Sequence, residues 1–360
     1  MRDMRFGNLT LLRYDARVPA DVAICIPTYN QADYLPIAVE SAGRQDYRGT
    51  IEIWVGDDAS TDHTGEVLAD LESRIPSLRV LRQHTNKGIP ENCSTLMRQP
   101  DADYLVRLDS DDELARDYVA RLVEMMDRHP RAGYGHTAIT QIDDSGDRID
   151  TRRLFRGTGF QDAETSLQAS LSGYRTVANV LMFRREALEE LDFYEGRPAM
   201  RQDYDLAVRM ADKGYGNVYL DEPLARYRVW ADVKGVRAKR KALELEGYIQ
   251  VFDEAFAPAW RRRGWNSGEL TRQRRKLANH HCPSCFQPQY SSEERDRLIV
   301  LLHRLGGSRR LALRIRLCQA GGARWLASLS QLRYRLKTAA KAVLKPLAGV
   351  GRRASGPEAA

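Results

Sequence analysis

Tyr104-Leu105-Val106-Arg107-Leu108 runs without a break into Asp109-Ser110-Asp111-Asp112. Five mostly apolar residues of strand length thus end in three carboxylates around one serine, a buried strand delivering a charged tip. In extended backbone the side-chain period is two, so Asp109 and Asp111 can face the same way and offer hard oxygen ligands to one divalent cation. Mg²⁺ or Mn²⁺ held by few carboxylates keeps positions open for diphosphate oxygens. Taken alone, the string reads better as an acidic turn capping a helix that starts near Ala115. Its place in a series of similar strand ends favours the cation.

Working outward, Val22–Ile26, Ile51–Val55 and Leu78–Leu81 read as further strands. Tyr34–Ala42, Thr64–Leu71, Pro90–Met97 and Tyr118–Met126 carry helical periodicity between and after them. Strand–helix alternation with short connections predicts an α/β fold, a mostly parallel twisted sheet flanked by helices on both faces. Ligands bind such sheets beyond the carboxyl ends of the strands. Polar clusters stand at three of these ends: Pro27-Thr28-Tyr29-Asn30, Asp57-Asp58-Ala59-Ser60-Thr61-Asp62 and Asp109–Asp112. Ser60–Asp62 can cap the next helix, but capping does not explain Asp57 and Asp58, which suit a base N–H or a ribose hydroxyl. Asn86-Lys87-Gly88 is a turn by composition, and Lys87 gains meaning as a nucleotide contact only in this combination. Residues 140–175 are polar and glycine-containing, readable as a substrate-side insertion or as a surface excursion.

With Gln202-Asp203-Tyr204-Asp205-Leu206 added, five motifs between Val22 and Trp230 stand in the order and approximate spacing of a known family. The chain resembles a family 2 glycosyltransferase of the GT-A fold. The resemblance implies a nucleotide-diphosphate-sugar donor, commonly a uridine diphosphate sugar, and transfer with inversion to a glycan or lipid-linked acceptor. It implies a donor-binding set of Pro27, Thr28, Tyr29, Asp57, Asp58, Asn86, Lys87 and Asp109, with Thr28 and Asp58 near the base and Asp109 near the ribose. It implies Asp109 and Asp111 at the metal, and Asp203 as the base that takes the acceptor's proton. The chemistry asks for the same types: a free hydroxyl is a poor nucleophile without a carboxylate in reach, and a departing diphosphate needs compensating positive charge. On a helix Asp203 and Asp205 point apart, leaving Asp205 for structural hydrogen bonding or helix N-terminal charge. Two positions depart from the family's pattern. Gln202 stands where Glu is usual, and Tyr227-Arg228 is followed by Val229-Trp230 where many relatives carry a metal-ligating histidine. Trp230 is then free to pack or to stack on a sugar.

The charge divides the 360 residues. Residues 1–233 hold 29 Lys and Arg against 40 Asp and Glu, and residues 234–360 hold 27 against 9. An N-terminal extension (1–21), a glycosyltransferase-like domain (22–233) and a helical, basic C-terminal region (234–360) follow from these patterns. The acidic part repels nucleic acid, and the basic part lacks interleaved aromatics or a reader motif, so no nucleic-acid partner is expected. A noncatalytic nucleotide-sugar or glycan binding protein is the competing class, weighed down by the retention of Asp109, Asp111 and Asp203. A nucleotidyltransferase is more distant, since no glycine-rich loop cradles an attacked triphosphate.

Five cysteines, an odd number with Cys25 inside an apolar run, fit reduced thiols. With no secretory leader or spanning stretch, the expected location is the cytoplasm. Leu243–Phe256, Arg295–Leu305, Arg309–Cys318 and Trp325–Leu344 read as helices. In the last, Trp325, Leu329, Leu332, Leu336, Ala340, Val343 and Leu347 form an apolar stripe beside Arg333, Lys337, Lys341 and Lys345. Such a stripe suits peripheral attachment to an anionic inner membrane face, or docking on the protein itself. His280, His281, Cys282 and Cys285 place zinc-type ligands at close spacing, with His303 and Cys318 as the downstream completions.

Overall fold

The computed structural model describes residues 20–173, 176–177, 179–194, 196–230, 240–323, 325–326 and 328. The expected N-terminal extension, the junction at 233/234 and nearly all of the Trp325–Leu347 stripe lie outside the described residues. These divide into two compact units, one running through Trp230 and including Gln250–Trp265, the other comprising 240–249 and the residues from Asn266 onward.

In the first unit β1 (Ala20–Thr28), β2 (Ile51–Asp57), β3 (Leu78–Arg82) and β4 (Ala102–Arg107) pair in parallel in the order β3-β2-β1-β4. They are joined through α1 (Leu35–Gly43), α2 (Thr64–Arg74) and α3 (Ile89–Met97). Then follow β5 (Glu113–Leu114), α4 (Tyr118–Asp127), β6 (Ala132–Ile142), β7 (Arg148–Arg152), β8 (Gly159–Gln161) and α5 (Ala163–Ser170). The last elements are β9 (Leu181–Arg184), α6 (Arg185–Glu189), α7 (Gln202–Asp212) and β10 (Gly216–Arg228). The sheet continues β4-β9-β6-β10-β5, with β9 antiparallel to both neighbours and β6 and β10 parallel to each other. The polar stretch 140–175 therefore contains β7, β8 and α5, with β7 on β6 and β8 on β10.

Alternation along β1 explains the two helical layers. Val22, Ile24 and Ile26 are buried with α1, α2 and α4 residues, among them Leu35, Val39, Leu68 and Leu122. Ala23 and Cys25 face the other layer, with Leu96 of α3, Leu188 of α6 and Leu206 of α7. A strand buried on both faces needs a continuous apolar run, which is what Val22–Ile26 supplies.

Gln250–Trp265 packs within the first unit, where the rings of Tyr204 and Phe256 stand 5.8 Å apart and Arg263 Nη1 donates to Asp212 Oδ1 at 2.6 Å. Leu243–Phe256, expected as one helix, is an α-helix α8 (Lys241–Gln250) followed by a wider π-helical turn (Val251–Phe256). After it comes α9 (Ala257–Arg263).

The second unit is helical: α10 (Ser267–His281), a tight turn (Cys282–Phe286), α11 (Ser292–Gly306) and α12 (Arg309–Leu317). Its core gathers Leu245, Ala278, Leu298, Leu302, Leu305 and Leu311. Ser291 and Glu294 form a reciprocal capping box at α11, and Ser308 caps α12. All five cysteines are free and buried. Cys282 and Cys318 face each other with sulfurs 4.0 Å apart, while His281 Nδ1 lies 2.8 Å from Lys241 Nζ. Among the described residues no group of three or more His, Cys, Asp or Glu is arranged around a metal position, here or elsewhere.

Candidate active site

The three polar clusters meet at the carboxyl edge of the parallel strands. Adjacent β1 and β2 end at Thr28 and Asp57, and the Asp58 N–H donates to the Thr28 carbonyl at 3.0 Å. Just beyond, non-glycine residues adopt left-handed backbone, Asn30 with φ 53° and Ala59 with φ 60°. Such conformations persist only where surrounding bonds hold them. Here Asp57 Oδ1 accepts the Ser60 N–H at 3.0 Å, the Asn30 N–H donates to Ser60 Oγ at 2.9 Å, and Asn30 Oδ1 accepts the Thr61 N–H at 2.7 Å. Ser60 and Thr61, expected as helix caps, instead clasp the loop after β1, because their backbone turns away before α2 begins at Thr64. Only Asp62 of that trio reaches the helix start, where its Oδ1 accepts the Thr64 N–H at 3.0 Å.

Asp58 is buried and grips the third loop: its two oxygens accept the backbone N–H groups of Lys87 and Gly88, each at 2.8 Å. The turn passes through Gly88 with φ 85°, a conformation that glycine adopts without a Cβ penalty. Lys87 Nζ pairs with Glu91 at 2.8 Å, and Asn86 is exposed. Thr28 is buried, yet its Oγ1 has no hydrogen-bond partner. Pro27 pairs across to Gly56, and the exposed Tyr29 follows the strand end.

At the end of β4 the decisive side chain is one the motif reading passed over. Arg107 is 3% exposed; its Nε and Nη2 donate to Asp109 Oδ1 at 3.1 and 3.0 Å, and its Nη1 donates to Asp203 Oδ1 at 2.5 Å. One guanidinium thus binds two carboxylates that lie far apart in sequence. The available signal was a lone arginine inside an apolar strand, which the interior tolerates only with charged partners. Asp203 is the second residue of α7, entered through Arg201 in left-handed backbone with φ 72°. Its Oδ1 also accepts from Tyr194 Oη at 3.0 Å. Burial pushes the Asp203 carboxyl above its ordinary range, and Arg107 opposes that shift. Asp205 points elsewhere, fully buried, with Oδ2 accepting from Arg197 at 2.9 Å and Arg209 at 2.8 Å.

Asp109, Asp111 and Asp112 crowd one another. Burial and then the Asp109 charge raise Asp111, while burial, Asp109 and Asp111 raise Asp112 well above the carboxylate range. Asp112 Oδ1 accepts the Arg228 N–H at 2.8 Å, and its buried Oδ2 has no partner. Nearby Tyr227, half-buried, is pushed up to about 12 by desolvation and then by the same three carboxylates. Arg228 donates to the backbone carbonyls of Asp111, Asp143 and Asp144 at 3.0, 2.6 and 3.0 Å. Trp230 neither projects into a core nor stands free. Its indole N–H donates to Asp111 Oδ2 at 2.5 Å, and its ring meets Tyr34 edge-on at 4.9 Å.

The donor set at Asp109 and Asp111 suits a hard divalent ion: carboxylate oxygens only, mutual repulsion that a cation would relieve, and an orphaned buried oxygen alongside. No third protein ligand completes it among the described residues, which is the usual situation for Mg²⁺ shared with substrate phosphates.

Residues 23–192 match the family model Glycosyl transferase family 2. Chondroitin synthase of Escherichia coli is 35% identical over 133 residues, 37% of this chain and 19% of that protein. The poly(ribitol-phosphate) β-N-acetylglucosaminyltransferase TarS of Staphylococcus aureus is 24% identical over 174 residues, 48% of this chain. The chain thus spans about a fifth of the length of the first and 29% of the second. Among solved structures, residues 1–349 of S. aureus TarS in complex with UDP-GlcNAc share the fold with a TM-score of 0.62 at 16% identity, covering 88% of this chain and 92% of that one. The mannosyltransferase PcManGT of Pyrobaculum calidifontis, in complex with GDP-Man and Mn²⁺, gives 0.51 at 19% identity over 91% and 87%. The expected GT-A-type α/β architecture is therefore present, and the match to the family 2 glycosyl transferase model covers its residues 23–192.

Proposed function

We propose that the chain transfers a sugar, with inversion, from a nucleotide-diphosphate donor, by preference a UDP-sugar, to a hydroxyl of a glycan or lipid-linked acceptor in polysaccharide or glycoconjugate synthesis. The observation that carries this reading is the convergence of Asp109 and Asp203 on buried Arg107. It fixes a donor-side carboxylate and a base candidate to one rigid group, and positioning of that kind is a large part of catalysis. Asp203 Oδ1 is committed to Arg107 and Tyr194, leaving Oδ2 to accept the acceptor's proton while Oδ1 keeps the side chain oriented. A carboxylate whose proton affinity is raised by burial is a better general base, and the elevation seen for Asp203 is in that direction. Proton removal accompanies attack at the anomeric carbon from the face opposite the diphosphate, which inverts the centre.

Asp111 and Asp109 would hold Mg²⁺ or Mn²⁺, which when bound offsets the negative charge on the departing diphosphate. Thr28, with its unpartnered Oγ1, and the loops pinned by Asp57 and Asp58 would receive the nucleoside, with Pro27, Tyr29, Asn86 and Lys87 at the rim. Among the described residues no helix is long and apolar enough to cross a membrane. Cytoplasmic residence with peripheral attachment through the basic C-terminal segment remains part of the proposal.

Asp111→Ala and Asp203→Asn separate the roles. Titration with a panel of nucleotide sugars, with and without Mn²⁺, should show Asp111→Ala losing the metal-dependent part of binding. Asp203→Asn should keep that binding and lose transfer. Near wild-type turnover by Asp203→Asn would end the base assignment.

A further inference from the structure

The second unit holds a cavity of about 790 Å³ lined by Arg272, Arg275, Lys276, Arg310 and Arg314. Gly268, Asn279, His280 and Ser308 complete the lining, so among the described residues no carboxylate lines the space. None of the five cations makes an ion pair among the described residues, whereas most cations of the first unit's surface do. Two helix starts open onto it: Gly268 is the second residue of α10, and Ser308 and Arg310 bracket the first residue of α12. Each adds the positive end of a helix dipole, although Asn266 Oδ1 accepts the Gly268 N–H and Ser308 Oγ the Leu311 N–H. Arg314 Nε is buried without a hydrogen-bond partner, as is Asn279 Oδ1. His280 reports the same field, lowered by burial and then by Lys241, with Arg314 and Lys276 acting in the same direction.

Unpaired cations repel one another, so five around one cavity are a standing cost unless an anion occupies it. Arginine outnumbers lysine four to one here, and arginine forks match phosphate oxygens two at a time. The cations come from both α10 and α12, so a ligand with more than one phosphate can be met from two helices at once. We propose that the cavity binds a ligand carrying two or more closely spaced phosphate groups. Two sources share that chemistry: the diphosphate of a lipid-linked glycan, and the phosphodiester backbone of a polymeric acceptor. The choice between them rests on the sugar-transfer reading, whereas the phosphate site does not.

The test uses the full chain and the triple variant Arg275→Ala/Arg310→Ala/Arg314→Ala, titrated with inorganic pyrophosphate in EDTA at low and high ionic strength. The wild type should bind, the variant should bind about tenfold more weakly or less, and the difference should shrink as salt rises. Donor hydrolysis by both proteins in the presence of Mn²⁺ reports that the variant is folded. Equal pyrophosphate affinity in the two proteins would overturn the site. So would capture by phosphatidylglycerol vesicles without pyrophosphate binding, because a diffuse anionic surface would then be the ligand. Competition by a soluble glycerol-phosphate chain, or by a diphosphate lipid in neutral vesicles, assigns the source while supporting the site. If neither protein hydrolyses any donor but the pyrophosphate difference persists, the sugar-transfer reading fails and the phosphate site stands.

Discussion

The acidic end of β4 and the basic cavity of the second unit are charge clusters of opposite sign, built in opposite ways. At β4 the carboxylates are locked by buried arginines, Arg107 for Asp109 and Asp203, and Arg228 through backbone contacts around Asp111 and Asp112. In the cavity four of the five cations are exposed on helix surfaces, and none is tied to a carboxylate among the described residues. A locked cluster fixes atoms for chemistry and resists salt; an open one creates a field that attracts and adapts. The difference teaches that a charge count alone, acidic before residue 233 and basic after it, says little about what each cluster does.

The largest effect should come from removing the one locked charge assigned to bond making. Asp203→Asn keeps the shape and the Tyr194 bond, and turnover should fall roughly 10³-fold, within the range for loss of a general base. Steady-state kinetics with an acceptor, alongside donor titration, checks that the loss lies in turnover and not in donor affinity.

Next in size is the lock itself. Arg107→Leu leaves Asp109 and Asp203 without their shared cation in a buried setting. Breaking a buried pair from one side should cost about 3 kcal/mol of stability, read by urea denaturation. Arg107→Lys retains the charge but cannot reach both carboxylates with a planar fork, so it should recover stability better than activity. Equal recovery of both would mean that Arg107 serves the fold alone.

These two residues also mark where the sequence stopped being legible. Strand–helix alternation, the parallel block and the strand-end polar clusters could be read because apolar periodicity reports local burial. Asp109 and Asp111 were visible for the same reason. The Arg107–Asp203 pair joins β4 to α7 across 96 positions, and nothing in the local pattern at Tyr104–Leu108 names the partner. The reversed strand β9, inserted between β4 and β6, is a four-residue element whose pairing is equally nonlocal. Ser60 and Thr61 carried a correct polar signal with the wrong partner, since capping and clasping a neighbouring loop use the same side chains. The excess of positive charge after 233 was plain, but only the packing of α10 and α12 shows which cations share one cavity.

A third test asks whether the first unit's interior holds its titratable groups as rigidly away from water as the comparison requires. His136 on β6 is buried, both ring nitrogens lack partners, and its ring lies 5.0 Å from that of Tyr219. Burial, then the Arg156 charge, lower it to about 3. The unfolded chain takes up a proton near pH 6.5, and the folded one does not until near pH 3. Stability present above pH 6.5 is therefore lost progressively as pH falls through that window, at up to about 1.4 kcal/mol per pH unit. His136→Phe should flatten the difference between pH 6.5 and 5 by roughly 2 kcal/mol. An unchanged slope would show that water reaches the ring.

The smallest expected effect probes a side-chain contact of the acidic cluster that is made by an indole instead of an arginine. Trp230 is 37% exposed and gives its indole N–H to Asp111, at the place soon after Tyr227-Arg228 where the family resemblance leads one to expect a metal-ligating histidine. The indole can donate to the carboxylate but cannot bind a cation, so it holds Asp111 in place while occupying one of its oxygens. Trp230→His replaces that donor with a neutral imidazole nitrogen near Asp111, a ligand type compatible with Mn²⁺. Mn²⁺ affinity in the presence of UDP should then tighten, by about tenfold if the new nitrogen joins the two carboxylates. Trp230→Phe, which keeps the aromatic contact with Tyr34 and deletes the N–H, should weaken it through loss of orientation. Calorimetric titration of Mn²⁺ into the three proteins orders them as His, Trp, Phe if Asp111 is a metal ligand steadied by the indole. Identical affinities would move the cation away from Asp111, leaving the crowding of Asp109, Asp111 and Asp112 to be relieved by protons alone.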